Sequence, residues 1–132
     1  MGASERRKGR DAELEVRDVF RAFDFEIQRT PNSGGLHLAG DLICTDGALD
    51  SYHFEIKRRE TWDVPGFLRQ AHEEAEGRVP VVAMRKSATP ANGPAGRWHA
   101  VIPLEELVHL LAIRRSLETA ARLSAVPGPV KR

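Results

Sequence analysis

Three residues carry side chains that could do chemistry together: Asp41, Glu55 and Lys57. Asp41 opens one apolar segment, in Gly40-Asp41-Leu42-Ile43, and Glu55 and Lys57 alternate through the next, in Phe54-Glu55-Ile56-Lys57. A hairpin of that span sets the two carboxylates side by side, where they repel unless a cation sits between them. Carboxylate oxygens with retained waters suit Mg²⁺, and the backbone carbonyl of Ile56 offers a third oxygen. An ammonium at Lys57 can position an attacking water or stabilise a phosphorane-like transition state. A metal can activate that water and polarise a phosphate. The set therefore fits phosphodiester hydrolysis. Acidic and basic residues at strand ends are more often merely solvated. What weighs against that is the joining of an E-x-K face to a strand apolar on its other face only.

The elements that must position these residues follow from periodicity. Ala12, Val16, Val19, Phe20 and Phe23 form the stripe of an amphipathic helix from about residue 9 to 23, with Leu14 off the stripe. Phe23, Phe25 and Ile27 alternate with polar residues as in a half-buried strand. Residues 31–35 read as a loop, 41–45 as a short strand, and Asp46-Gly47 as a turn. Residues 51–57 read as a strand with Tyr52, Phe54 and Ile56 on one face and His53, Glu55 and Lys57 on the other. Pro65-Gly66 opens a second helix that ends at Gly77. Residues 79–84 form a buried strand, 86–96 a loop, 97–102 a last strand. Pro103 starts a third helix running to about 125, with Leu104, Leu107, Val108 and Leu111 as its stripe. The expected class is α/β, with a mixed central sheet of about five strands flanked by helices. The first three strands would form an antiparallel meander, and the second helix would cross over to a parallel strand.

Composition bounds the class. The chain has 132 residues, 41% of them hydrophobic, which suits a single globular domain over 1–132, with residues 1–8 and 127–132 as flexible tails. One cysteine, Cys44, excludes an intramolecular disulfide framework and a cysteine-cluster zinc site, is compatible with a reducing cytoplasm, and reads as a small core residue. No apolar run approaches the length of a membrane span. The formal charge of +1 hides basic knots at residues 6–10, at Lys57-Arg58-Arg59 and at Arg114-Arg115.

The ordered set of motifs resembles the PD-(D/E)xK nucleases, and most closely their Holliday junction resolvases of the archaeal and phage type. The likeness spans about residues 6–85. It begins with the basic lead-in Arg7-Lys8-Gly9-Arg10 and the acidic helix Asp11-Ala12-Glu13-Leu14-Glu15. It continues through Ser33-Gly34-Gly35, Gly40-Asp41 and Glu55-Ile56-Lys57 to Gln70 and the strand at 79–84. Gly40 stands where many members have proline, which shapes the backbone without entering the chemistry. The resemblance implies a restriction-endonuclease-like core. Asp41, Glu55 and Glu13 would act as the acidic members and metal ligands, Lys57 as the catalytic lysine, and Ser33 and Gln70 as polar residues beside the site. It implies Mg²⁺, with Mn²⁺ able to substitute, and a homodimer acting on branched DNA in a prokaryotic or phage-infected cytoplasm. Helix geometry places Glu13 at the edge of the apolar stripe, from which it could lean toward Asp41, or stay a solvated boundary residue. Glu15 lies on the opposite edge and is the weaker candidate.

With such a site between them, the basic knots suit a DNA backbone, and Arg7, Lys8, Arg10, Arg29, Arg58 and Arg59 are the contacts expected. His53 shares the Glu55 face, although a solvated strand histidine is the commoner case. His37, His72, His99 and His109 show no metal-ligand spacing. Trp62 fits packing better than base stacking. Two other readings stay open: a different nuclease of the same fold, or a non-catalytic DNA-binding module whose carboxylates merely pair with Arg58 or Arg59.

Overall fold

The computed structural model describes residues 2–29, 42–87 and 96–125. Asp41, the loop bearing Ser33, most of the 86–96 loop and the tail at 127–132 lie outside the described residues. The element order is α1 (Ala3–Arg21), β1 (Ile27–Arg29), β2 (Leu42–Cys44), β3 (Tyr52–Arg58), α2 (Val64–Glu74), β4 (Val79–Arg85), β5 (His99–Val101) and α3 (Leu104–Ala125). The chain divides into two compact units, Met1–Ile102 and Pro103–Arg132.

In the first unit β1 pairs with β2 antiparallel, and β4 is the centre of a β3-β4-β5 sheet, parallel to β3 and antiparallel to β5. The class is the α/β mixed arrangement expected, and it fits a restriction-endonuclease-like core. The meander is not continuous, however. Among the described residues no ladder joins β2 to β3, because the chain leaves β2 through successive turns that end with Tyr52 N–H donating to Leu49 O. The two small sheets share one apolar cluster instead, built from Ile27, Leu42, Cys44, Phe54 and Val81.

Alternation along β3 and β4 assigns one helix to each face. Phe54 meets Phe20 of α1 edge-to-face at 5.4 Å, and Val81 buries on that side. Val82 and Met84 point the other way, into a second cluster with Ala71, Phe67 and Leu68 of α2. Thus even-numbered residues of β3 face α1 and odd-numbered ones face α2.

α1 begins at Ala3, well before residue 9, so the basic lead-in is helical. Ala3 to Lys8 contains no breaker, Glu5 suits the first turn, and Gly9 is tolerated within the helix. At its other end the alternation through Phe23 fails. Phe25 N–H donates to Phe20 O and Asp24 N–H to Arg21 O, with Asp24 at φ 66°. This is a helix-terminating loop with aspartate in the left-handed position usually held by glycine. It turns Phe23 outward, 75% exposed, and shifts the strand to Ile27–Arg29. α2 starts beside Pro65-Gly66 as expected, and the structure adds a cap: the Asp63 carboxylate accepts from Gly66 N–H at 3.1 Å. A Cβ on Gly66 would meet the end of that carboxylate, which would have to shift to make room.

α3, described by itself, holds no buried residue; its stripe of Leu104, Leu107, Val108 and Leu111 is exposed. Pro103 O accepts from Glu106 and Leu107 N–H at its start.

Candidate active site

β3 presents His53, Glu55 and Lys57 on the α2 face, and α2 answers with Gln70 and Glu74, one turn apart. The parallel ladder with β4 fixes the spacing, with Glu55 opposite Val82 and Lys57 opposite Met84. Lys57 Nζ lies 3.0 Å from Glu55 Oε1 and donates to Gln70 Oε1 at 2.9 Å. Its ammonium also stands 5.5 Å from the centre of the Phe67 ring. Only 11% of the Lys57 side chain and 13% of that of Glu55 are exposed, so this pair is sheltered rather than solvated.

Gln70 is the joint of the arrangement. Its carbonyl holds Lys57, while its Nε2 donates to Glu74 Oε1 at 3.3 Å. Burial pushes the Glu74 carboxyl upward, but hydrogen bonds with Gln70 and Glu55 and the nearby His53 and Lys57 outweigh it, holding the group below the usual glutamate range. His53 Nε2 stands 3.7 Å from Glu55 Oε2 and 3.6 Å from Glu74 Oε2. The other ring nitrogen, Nδ1, lies 3.4 Å from Arg78 Nη2.

Among the described residues, His53, Glu55 and Glu74 form the group whose donor atoms lie close enough together to hold a metal ion. The fit has a further sign: His53 Nε2 is shielded from solvent and has no hydrogen-bond partner. A buried polar atom left unmatched beside two carboxylate oxygens suits a divalent cation.

The structure thus brings together Glu55, Lys57 and Gln70 of the expected set. Ile56 sits between them with its side chain against the α1-side cluster and its backbone in the ladder opposite Ala83. Glu13 is on α1 beside buried Ala12 and is not part of the His53-Glu55-Glu74 group. Asp41 and Ser33 lie outside the described residues. Glu74 is a participant that sequence reasoning misses. Its signal is the Phe67, Gln70, Glu74 spacing, which puts all three on one side of a helix already expected to cover β3.

Of the basic residues, Arg7 and Arg10 are exposed on α1, with Lys8 half-buried between them, and Arg59 is exposed just past β3. Arg29 occupies β1 opposite Leu42. Arg58 faces the other way from Glu55, toward α1: its Nη1 is 3.7 Å from Glu15 Oε2, and Arg85 of β4 holds Glu15 Oε1 at 2.7 Å. Glu15 is therefore a clamp that neutralises two neighbouring arginines. The Glu55 carboxylate pairs with Lys57, and Arg58 pairs with Glu15 instead.

Cys44 is buried and donates to Asp46 Oδ1 at 2.9 Å; burial, then that hydrogen bond, push its thiol up, as befits a core residue rather than a nucleophile. Trp62 packs with Val64 and Phe67 around the second cluster. No helix among the described residues is long and apolar enough to cross a membrane. A model of the family described as phage putative PDDEXK endonuclease matches residues 4–116. No curated protein and no solved structure gives a significant match.

Proposed function

This chain belongs to the phage PDDEXK endonuclease family, and from that premise we propose that it is a divalent-metal-dependent DNA endonuclease that resolves four-way junctions as a homodimer. The family makes it a nuclease of the PD-(D/E)xK superfamily; the metal, the junction and the dimer are the finer reading. The observation that carries the catalytic part is the sheltered contact of Lys57 with Glu55 at 3.0 Å and with Gln70 at 2.9 Å. An ammonium kept in place by an anion and an amide carbonyl is preorganised for charge that develops later, which is how such a group accelerates a reaction.

Glu55, with Asp41 and Glu13 as further acidic members, would hold Mg²⁺ or Mn²⁺. Bound there, the cation supplies polarisation of the phosphate and a water more readily deprotonated. Lys57 donates to a phosphate oxygen and restrains the attacking water. Gln70 keeps Lys57 from collapsing wholly onto Glu55. The exposed Arg7 and Arg10, with Lys8 and Arg59, bind phosphates without reading bases. Two such sites in a closed two-fold pair would make the paired nicks that resolution needs. The setting would be the cytoplasm of a prokaryotic or phage-infected cell, in recombination or repair.

The test is cleavage of labelled linear duplex, flap and four-way-junction DNA with Mg²⁺, with Mn²⁺ and with EDTA, alongside Asp41→Asn. Symmetric junction nicks that vanish with EDTA and in Asp41→Asn are expected. Equal cutting of linear duplex would replace the resolvase reading with a general nuclease. Full activity of Asp41→Asn would defeat the catalytic assignment.

A further inference from the structure

The geometry points to a site in which His53, Glu55 and Glu74 together bind a first-row transition-metal dication in preference to Mg²⁺. The inference rests on the reading of Glu55 as a metal ligand and adds to it two ligands, one of them nitrogen.

Each carboxylate has one oxygen engaged by Lys57 or Gln70 and one turned to the same point, and the two carboxyl groups also hydrogen-bond to each other. Glu55 Oε1 faces Lys57 while Oε2 stands 3.7 Å from His53 Nε2. Glu74 Oε1 accepts from Gln70 while Oε2 stands 3.6 Å from the same nitrogen. All three donors lie within 4.8 Å of one another. Ligands bound at about 2.1 Å stand about 3.0 Å apart at right angles and about 3.4 Å apart in a tetrahedron. The observed separations from Nε2 thus need only a few tenths of an ångström of inward movement. His53 Nε2 is closed to water and without a hydrogen bond, a cost that a cation there would remove.

The donor set decides which cation. Two carboxylates alone suit Mg²⁺, which demands oxygen and keeps most of its waters. An imidazole tilts the site toward transition metals, whose affinity for nitrogen exceeds that of Mg²⁺. The backbone helps as well: His53 and Glu55 are two apart on a strand pinned by its ladder, and Glu74 comes from a helix packed on that strand. The Lys57 ammonium on Glu55 Oε1 opposes a cation here, and so does Arg78. Its Nη2, at 3.4 Å from Nδ1, favours a ring proton on Nε2. Metal on Nε2 moves that proton to Nδ1 and breaks the long contact, so Arg78 sets a brake on binding rather than a bar.

The experiment uses the full chain, stripped with EDTA and titrated with MnCl₂ or MgCl₂ by calorimetry, with electron-spin-echo spectra of the Mn²⁺ form. Imidazole nitrogen modulation on bound Mn²⁺ is expected in the wild type, a measurement that needs no variant to fold. His53→Ala and His53→Gln should abolish that modulation and weaken Mn²⁺ by at least the roughly 10–100-fold that loss of an outer-shell partner costs. Mg²⁺ affinity should barely change in them. Glu74→Gln should weaken Mn²⁺ similarly, Arg78→Met should strengthen it, and His72→Ala, outside the group, should do neither. Mn²⁺ bound without nitrogen modulation, and lost only in Glu55→Gln, would overturn this inference while leaving Glu55 a ligand. Binding unaffected by Glu55→Gln would overturn the underlying reading as well.

Discussion

Lys57→Met separates the charge of this residue from its packing. Methionine keeps an apolar stem of similar length over Phe67 and removes only the ammonium. In the structure that ammonium contacts Glu55 Oε1 at 3.0 Å and Gln70 Oε1 at 2.9 Å, with 11% of the side chain exposed. Its loss leaves a sheltered carboxylate without its nearest cation, at a cost of about 1–3 kcal/mol. A chain of this size then melts about 3–10 °C lower. Divalent-cation affinity should rise, because the ammonium no longer competes for Glu55. The chemical step should slow by roughly 10²–10³-fold, the usual result of deleting one preorganised donor to developing charge. Affinity for uncleaved DNA should fall by less than about tenfold, since one screened charge among several phosphate contacts is worth little. Single-turnover cleavage of end-labelled DNA, set beside anisotropy titration of uncut DNA in Ca²⁺, separates the two quantities. Equal falls in rate and affinity would make Lys57 a backbone contact and refute the argument, as would a variant that binds metal more weakly.

Three further outcomes follow from other parts of the fold. Replacing Arg7, Lys8 and Arg10 by Gln should lower the slope of log affinity against log salt by about 0.9 for each phosphate no longer neutralised, with the rate on bound DNA unchanged; an unaltered slope would show that this part of α1 does not touch DNA. Asp24→Gly should stabilise the protein by about 0.5–1 kcal/mol, because the left-handed conformation at φ 66° costs aspartate more than glycine; a lower denaturation midpoint would contradict that. Glu15→Gln should destabilise it by about 1–3 kcal/mol, by leaving Arg58 and Arg85 side by side, and added salt should restore part of the stability; a denaturation midpoint indifferent to this change would mean that the clamp does not hold the fold together.

The α2-facing side of β3 is readable from alternation alone, which puts His53, Glu55 and Lys57 together without any coordinates. So is the start of α2, where Pro65 and Gly66 are strong local punctuation, although the Asp63 cap emerges only in the structure. Legibility fails where tertiary geometry decides. Glu74 takes part only because α2 crosses β3 at a particular height, and nothing in a helix period specifies that height. Phe23 has the spacing of a strand or stripe residue, yet Asp24 takes a left-handed conformation that propensity assigns to glycine. Residues 3–8 resemble a tail by charge, although their helix propensity is adequate once Ala12 and Val16 anchor the rest of α1. Arg58 shares a basic knot with Lys57 and Arg59, and adjacency in sequence hides the fact that neighbours on a strand face opposite ways. The division of labour between Glu13 and Glu15 on α1 is likewise a question of facing, and Glu15 serves the arginines.

The central place of β4 bears on how the site behaves in time. Its residues Val82 and Met84 are almost wholly buried, and it hydrogen-bonds strands on both sides, with a helix over each face. Strands of that kind exchange their amide protons only when the whole cooperative unit opens. β3 is laddered to it along its full length from Tyr52 to Arg58. Opening of the backbone that carries Glu55 and Lys57 therefore also breaks the pairing with β4. On the proposed function, a substrate would meet the backbone of this half of the site already set.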